Sequence, residues 1–244
     1  MYKPQEGSFT GCLIGQCLGD ALGFPVEGAP PNLCRDYVDH IMKPLKSGRT
    51  PAEIPHMGPF RFGQYTDDSQ LARELMISYA DCGRFDPEDY AGRIEEIFHQ
   101  NLIVGRGMAT DQAARRLADG IPWDQAGTPP PSAGNGSAMR AGPVGLICYD
   151  DSSSLLRIAH DQGRITHNDP RCSAGAVAIA AAVTLALRWP EIQGDRFLRR
   201  LKEWTSLFDK TFSSGLESLI DWVELPPEEA VNWIARCGLS EDHA

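Results

Sequence analysis

The run from Cys172 to Leu187 constrains this chain more than any other stretch. Its 16 residues carry no charge and are rich in alanine. It is short for a bilayer span, which needs about 20 apolar residues. Asn168-Asp169-Pro170 supplies a cap and a proline at the first helical position, and Trp189-Pro190 ends the run. Because it is apolar nearly all round, it predicts a central buried helix. Such a helix must be wrapped on every side, and the rest of the pattern says it is wrapped by helices.

Residues 8–22 predict the first of these. Gly11, Gly15 and Gly19 fall four apart on one face, which suggests a face that another helix or a ligand approaches closely. Gly23-Phe24-Pro25 breaks the helix, and Glu27 follows from a loop. Residues 28–63 carry six prolines and read as loop, with short pieces embedded around Arg35 to Met42. A second helix runs from Asp68 to Asp81, and a third from Asp86-Pro87 to about Asn101. Further helices are predicted at 110–118, from the Asp151 cap through Ile158, at 194–208, at 213–223 and at 230–236. Thr128 to Ser137 holds too much Pro and Gly for regular structure, and an apolar run follows from Ala138 to Tyr149. No stretch shows period-2 alternation, and no hairpin turn joins β-rich runs. The fold class is therefore all-α, one domain over residues 1–244 built as a compact cluster of helices.

The net charge of −10, from 33 acidic and 23 basic residues, argues against a nucleic-acid backbone binder. Seven cysteines with no Cys-x-x-Cys pair point to reduced, mostly buried thiols in a cytoplasmic protein. The first residues, Met-Tyr-Lys-Pro-Gln-Glu-Gly, lack the apolar stretch of a signal peptide.

Four short segments carry the chemistry. The first is Gly15-x3-Gly19-Asp20-Ala21-x-Gly23-x-Pro25-x-Glu27. Its plain reading is tight packing with Glu27 in solvent. The second is Thr66-Asp67-Asp68-Ser69, where two adjacent carboxylates resist burial without a cation, a basic partner or a helix N-terminus. One reading makes Thr66 or Asp67 a helix cap and Asp68 a complement to the dipole; the other makes the stretch a metal site. The third is Gly134-Asn135-Gly136-Ser137-Ala138-Met139-Arg140, either a turn or a loop whose N–H groups meet a phosphate at a helix start. The fourth is Thr166-His167-Asn168-Asp169-Pro170, whose histidine is either structural or available for proton transfer.

In their order and spacing, these segments resemble the ADP-ribosylglycohydrolase family over about Gly7 to Leu187. Gly107-Met-Ala-Thr110 and Leu117-Ala-Asp-Gly120-Ile-Pro-Trp123 also look like the family's pattern. The resemblance implies a compact orthogonal multi-helix domain with two Mg²⁺ (or Mn²⁺) ions in a cleft. It implies hydrolysis of an ADP-ribosyl group from a protein side chain or small acceptor. By the motif match, Thr66, Asp67 and Asp68 would ligate metal, and Asp67, Asp68 and Glu27 would serve catalysis. Asn135, Gly136, Ser137 and Met139 would line the substrate, with His167 flanking it. No membrane or nucleic-acid partner is expected, and the expected state is a monomer.

The chain departs from the family in one respect. The family's C-terminal Gly-Gly-Asp-(Thr/Ser)-Asp-(Thr/Ser) segment, which supplies the other half of the metal site, has no counterpart here. The expectation is a domain lacking the last helices, with weak metal binding and low turnover. Apolar surface should be exposed near Val231, Trp233 and Ile234 and favour self-association. The alternative is an impaired member that binds ADP-ribose or acts as a scaffold.

Overall fold

A computed structural model describes residues 4–49, 60–222 and 225–237. The structure is 71% helical, and no sheet forms among the described residues. Helix α1 spans Glu6–Gly23 and runs into a 3₁₀ turn at Phe24–Val26. Helix α2, Pro31–Tyr37, continues through a π turn at Val38–Met42 into α3, Lys43–Lys46. The segment read as loop is therefore helical over much of its first half. Two of its described prolines sit in first turns: Pro31 at the first position of α2, where a missing N–H costs nothing, and Pro44 just after the π turn.

Then follow α4 (Asp67–Cys82), α5 (Pro87–His99), α6 (Met108–Ala118) and the short α7 (Trp123–Ala126). Helices α8 (Gly142–Ile147), α9 (Ser152–Arg164) and α10 (Pro170–Arg188) form the centre. Helices α11 (Gly194–Thr205), α12 (Lys210–Trp222) and α13 (Pro227–Cys237) follow. The predicted caps form. Asp86 accepts from the N–H groups of Glu88 and Asp89, Asp151 from those of Ser153 and Ser154, and Asp169 from that of Arg171.

Helix α10 sits at the core, packed against α8, α9 and α11. Ala174, Ala176, Val177, Ala180 and Ala181 are wholly buried. The alanines let backbones meet: a Cβ on Gly145 of α8 would lie 2.3 Å from the Ala180 carbonyl oxygen. Thr184 Oγ1 donates to the Gly145 carbonyl across the same contact at 2.9 Å. Around this axis Leu71, Leu75, Ile94, Leu155 and Ile165 close one continuous apolar cluster. Each such side chain contributes about 1.5–3 kcal/mol on burial.

The close approach of another helix expected at the glycine face of α1 does not occur. No element among the described residues approaches its glycine stripe: a Cβ at Gly7, Gly11, Gly15, Gly19 or Gly23 would meet nothing within 4 Å. Nor is the helix covered elsewhere, with Ile14 61% and Leu18 54% exposed. By length and composition alone, α1 with its following turn and α10 could each cross a membrane; α10 is mostly buried in protein and α1 is not. The thiols also differ from expectation. Of the six described, Cys148 and Cys172 are buried, Cys12, Cys34 and Cys82 are half-buried and Cys17 is exposed, all of them free. Val231 and Trp233 are exposed as expected, and Trp233 stacks on Trp222 at 6.0 Å. The side chain of Ile234 lies outside the described residues.

Candidate active site

The chemistry gathers where the C-terminal half of α1 meets the start of α4. Thr66 occupies the cap position of α4, yet its side chain makes no cap bond. Neither Thr66 nor Asp67 caps the helix. Asp20, reaching across from α1, does so: its Oδ2 accepts from the N–H groups of Thr66 (2.9 Å) and Ser69 (3.1 Å). Its Oδ1 accepts from Thr66 Oγ1 at 2.8 Å. A carboxylate placed there satisfies two of the orphan donors of α4 and complements its dipole. Thr66 Oγ1 also lies 3.4 Å from Asp68 Oδ2.

Asp20, Glu27, Thr66, Asp68 and Asn135 share the wall of one open cavity of about 260 Å³, with Gln16, Phe24 and the C-terminal glycines of α1. No lysine or arginine lines it among the described residues. Burial pushes the Asp68 carboxyl above its usual range, and the negative charges of Asp20 and Glu27 push it further. With no cationic side chain on the wall, the Asp68 and Glu27 carboxylates offer hard oxygen donors to a divalent cation. They do not form a closed cage: among the described residues, no three His, Cys, Asp or Glu side chains converge tightly enough to hold an ion unaided.

Asp67 takes another direction. Its N–H donates to the Val104 carbonyl at 2.8 Å. Its carboxylate lies against the Gly105–Gly107 loop, 3.0 Å from where a Gly105 Cβ would stand. Gln70 holds that loop in place, donating to the Leu102 carbonyl (2.9 Å) and accepting from the Val104 N–H (2.8 Å). Burial, then the charge of Asp68, raises the Asp67 carboxyl to about 7. Asp67 thus stands behind the cavity wall, not on it.

The Gly134–Arg140 segment forms a 3₁₀ turn at Asn135–Ser137, short structure in a stretch read as irregular. Asn135 reaches the cavity. Ser137 is buried, its Oγ donating to the Cys172 carbonyl at 2.8 Å. Met139 packs against the core, and its carbonyl accepts from Gln16 Nε2 at 3.1 Å. His167 lies beneath Gly136, where a Cβ would come within 2.3 Å of its Cε1. Only glycine lets the turn rest on the ring. Arg140 is wholly buried and donates to Gln162 Oε1, the Gln162 carbonyl and Thr166 Oγ1. Thr166 Oγ1, which accepts from Arg140, also lies 2.8 Å from His167 Nδ1. Burial, then the Arg140 charge, lowers His167 to about 4, so the ring is neutral at physiological pH.

The structure therefore brings Glu27, Thr66, Asp68 and Asn135 together, and keeps the side chains of Asp67, Ser137, Met139 and His167 off the cavity wall. Asp20 and Gln16 were not among the predicted site residues. Their signal was available: they form an i, i+4 polar pair in an otherwise apolar stretch, which places both on one helix face.

The family model described as ADP-ribosylglycohydrolase matches residues 1–240. The chain belongs to that family. It is 29% identical to ADP-ribosylhydrolase ARH3 of Xenopus tropicalis, over 91% of this chain and 63% of that protein. It is 30% identical to ADP-ribosylarginine hydrolase Tri1 of Pseudomonas putida, over 72% of this chain and 46% of that one. It thus spans roughly half to two thirds of the length of these relatives. A solved structure titled "ADP-ribosylglycohydrolase-related protein complex" superposes with a TM-score of 0.62 at 27% identity, over 90% of this chain and 68% of that one. The all-α fold of this family is thereby established.

Proposed function

We propose that this ADP-ribosylglycohydrolase hydrolyses the bond between ADP-ribose and an acceptor, with a divalent cation, Mg²⁺ or Mn²⁺, held at the acidic cavity. The observation that carries the reading is the set of Asp20, Glu27 and Asp68 around one cavity with no cationic side chain on its wall. Thr66 and Asp68 would hold the cation, with water and substrate filling the other positions and Asp67 behind them. A bound divalent ion supplies Lewis-acid polarisation and orients hydroxyls.

The chain's own residues do the remainder. Glu27, on the loop after α1, is free to accept a proton from water attacking the anomeric carbon. Cleavage at that carbon passes through an oxocarbenium-like state, and the surrounding carboxylates stabilise its positive charge. The carbon–acceptor bond breaks as the carbon–water bond forms, and the acceptor leaves with a proton. Asn135, on the cavity wall, would face the ribose and diphosphate. His167, neutral, holds that turn from below. Free thiols at all six described cysteines support a reducing compartment, the cytoplasm, and the continuous core supports one domain.

Incubation with an ADP-ribosylated protein, with Mg²⁺ or with chelator, tests this. Free ADP-ribose should appear only with the metal, and Glu27→Gln should slow its release about 100-fold or more. Release untouched by chelator and by Glu27→Gln would refute it. The open donor set favours one second reading, an ADP-ribose binder without turnover. Calorimetric binding of ADP-ribose with no release from any modified substrate would select it. Acceptors to compare are arginine, named in one relative, and serine.

A further inference from the structure

We propose that Gln16 is a positioning residue that sets the distance between Asp68 and the Asn135 turn, the two sides of the cavity. Its Nε2 donates to the Asp68 carbonyl at 3.3 Å and to the Met139 carbonyl at 3.1 Å. One carboxamide nitrogen has two hydrogens, and each has one acceptor. Because both partners are carbonyl oxygens, the amide orientation is fixed: the nitrogen faces them and Oε1 faces away. Oε1 fills the space a side chain at Gly142 would take, 3.0 Å from that Cβ position.

The placement matters because nothing else described ties these three elements by side chain at this point. Asp20 joins α1 to the start of α4. Gln16, one turn earlier on the same face, extends that joint to the segment that carries Asn135. Gln16 itself lines the cavity, but its hydrogen-bonding nitrogen serves the backbone. A ligand bridging Asp68 and Asn135 would therefore meet a gap already set by α1. Loss of the donor would let the turn drift from α4 and weaken ligands that touch both sides.

The role in ligand binding rests on the ADP-ribosyl reading above, so the test has two arms. In the first, hydrogen–deuterium exchange compares wild type with Gln16→Met, which keeps the shape and loses the donor, and with Gln16→Glu, which presents oxygens to two carbonyls. Exchange should rise at residues 66–70 and 134–141, and stay unchanged in α10. Gly142→Ala, which crowds Oε1 while leaving residue 16 as glutamine, should reproduce the effect more weakly. Exchange like wild type in all three overturns the proposal. In the second, ADP-ribose affinity is measured by calorimetry. Loss of two neutral hydrogen bonds should weaken it about five- to thirtyfold. Wild-type binding with unchanged affinity in Gln16→Met overturns the positioning role alone. No binding by wild type overturns the ADP-ribosyl reading and this role in ligand binding with it, while the exchange arm still decides whether Gln16 joins the two sides.

Discussion

Replacing Asp20 by alanine isolates the joint on which the site depends. The change removes three hydrogen bonds to one carboxylate, from Thr66 N, Thr66 Oγ1 and Ser69 N. Bonds to charged groups are worth about 1.5–3 kcal/mol each when buried. Asp20 is only half-buried, and water can take over part of their work. Loss of a helix N-cap costs about 0.5–2 kcal/mol, which is the closer guide. An opposing effect is relief of repulsion, since Asp20 raises the Asp68 carboxyl. Partial exposure limits that relief. The net expectation is a loss of about 2 kcal/mol for Asp20→Ala. Asp20→Asn keeps one acceptor and loses the like charge, so it should cost about 1 kcal/mol or less. Urea unfolding followed by circular dichroism gives both values. Asp20→Ala within about 0.5 kcal/mol of wild type, the range of an ordinary surface change, would show that Asp20 does not hold α4.

Three further outcomes follow from the same geometry. His167 should stay neutral down to about pH 4, read from its ring nitrogens by NMR; titration at 6 or above would contradict its buried setting. The sign follows: the unfolded histidine binds its proton near 6.5 and the folded one near 4, so its contribution is complete above about 6.5 and is lost as pH falls towards 4. Asp67 acts oppositely, holding a proton in the folded state between 3.8 and about 7, so its contribution declines as pH rises through that window. The two contributions oppose each other over this range, and each titration is read separately by NMR. Gly136→Ala should displace the His167 ring, which a Cβ would meet at 2.3 Å, at a cost of about 1–3 kcal/mol and a changed ring spectrum. Gly145→Ala should force α8 from α10, where the Cβ would meet the Ala180 oxygen, with a comparable drop in stability; an unchanged melting temperature for either would show that the contact yields freely.

The central helix, the Asp86, Asp151 and Asp169 caps and the all-α class were legible because each rests on local pattern. Apolar periodicity and cap chemistry act within a few residues and survive in the folded chain. The grouping of Glu27, Thr66, Asp68 and Asn135 was legible only through the order of motifs, since no local rule joins residues so distant in sequence. What the sequence concealed was direction. Asp67 and Asp68 are neighbours, yet successive helix positions point about 100° apart, so one faces the cavity and the other the Gly105–Gly107 loop. The capping of α4 was hidden for a similar reason: Thr66 fits the cap rule, but a carboxylate 46 residues away satisfies the donors instead. The glycine stripe of α1 misled about a neighbouring helix, because small residues signal that close approach is permitted, not that it occurs; Gly19 and Gly23 line the cavity instead.

Titration of Mn²⁺ followed by electron paramagnetic resonance tests the central claim, that this wall of carboxylates is an open cation site. The protein should bind one ion weakly, with a dissociation constant on the order of 10⁻⁴ M, as a hard cation bound by few protein oxygens does. Asp68→Asn should weaken it at least tenfold, whereas Asp161→Asn, a carboxylate on α9 outside the cavity wall, should leave it unchanged. Two micromolar sites, or binding indifferent to Asp68→Asn, would contradict the account.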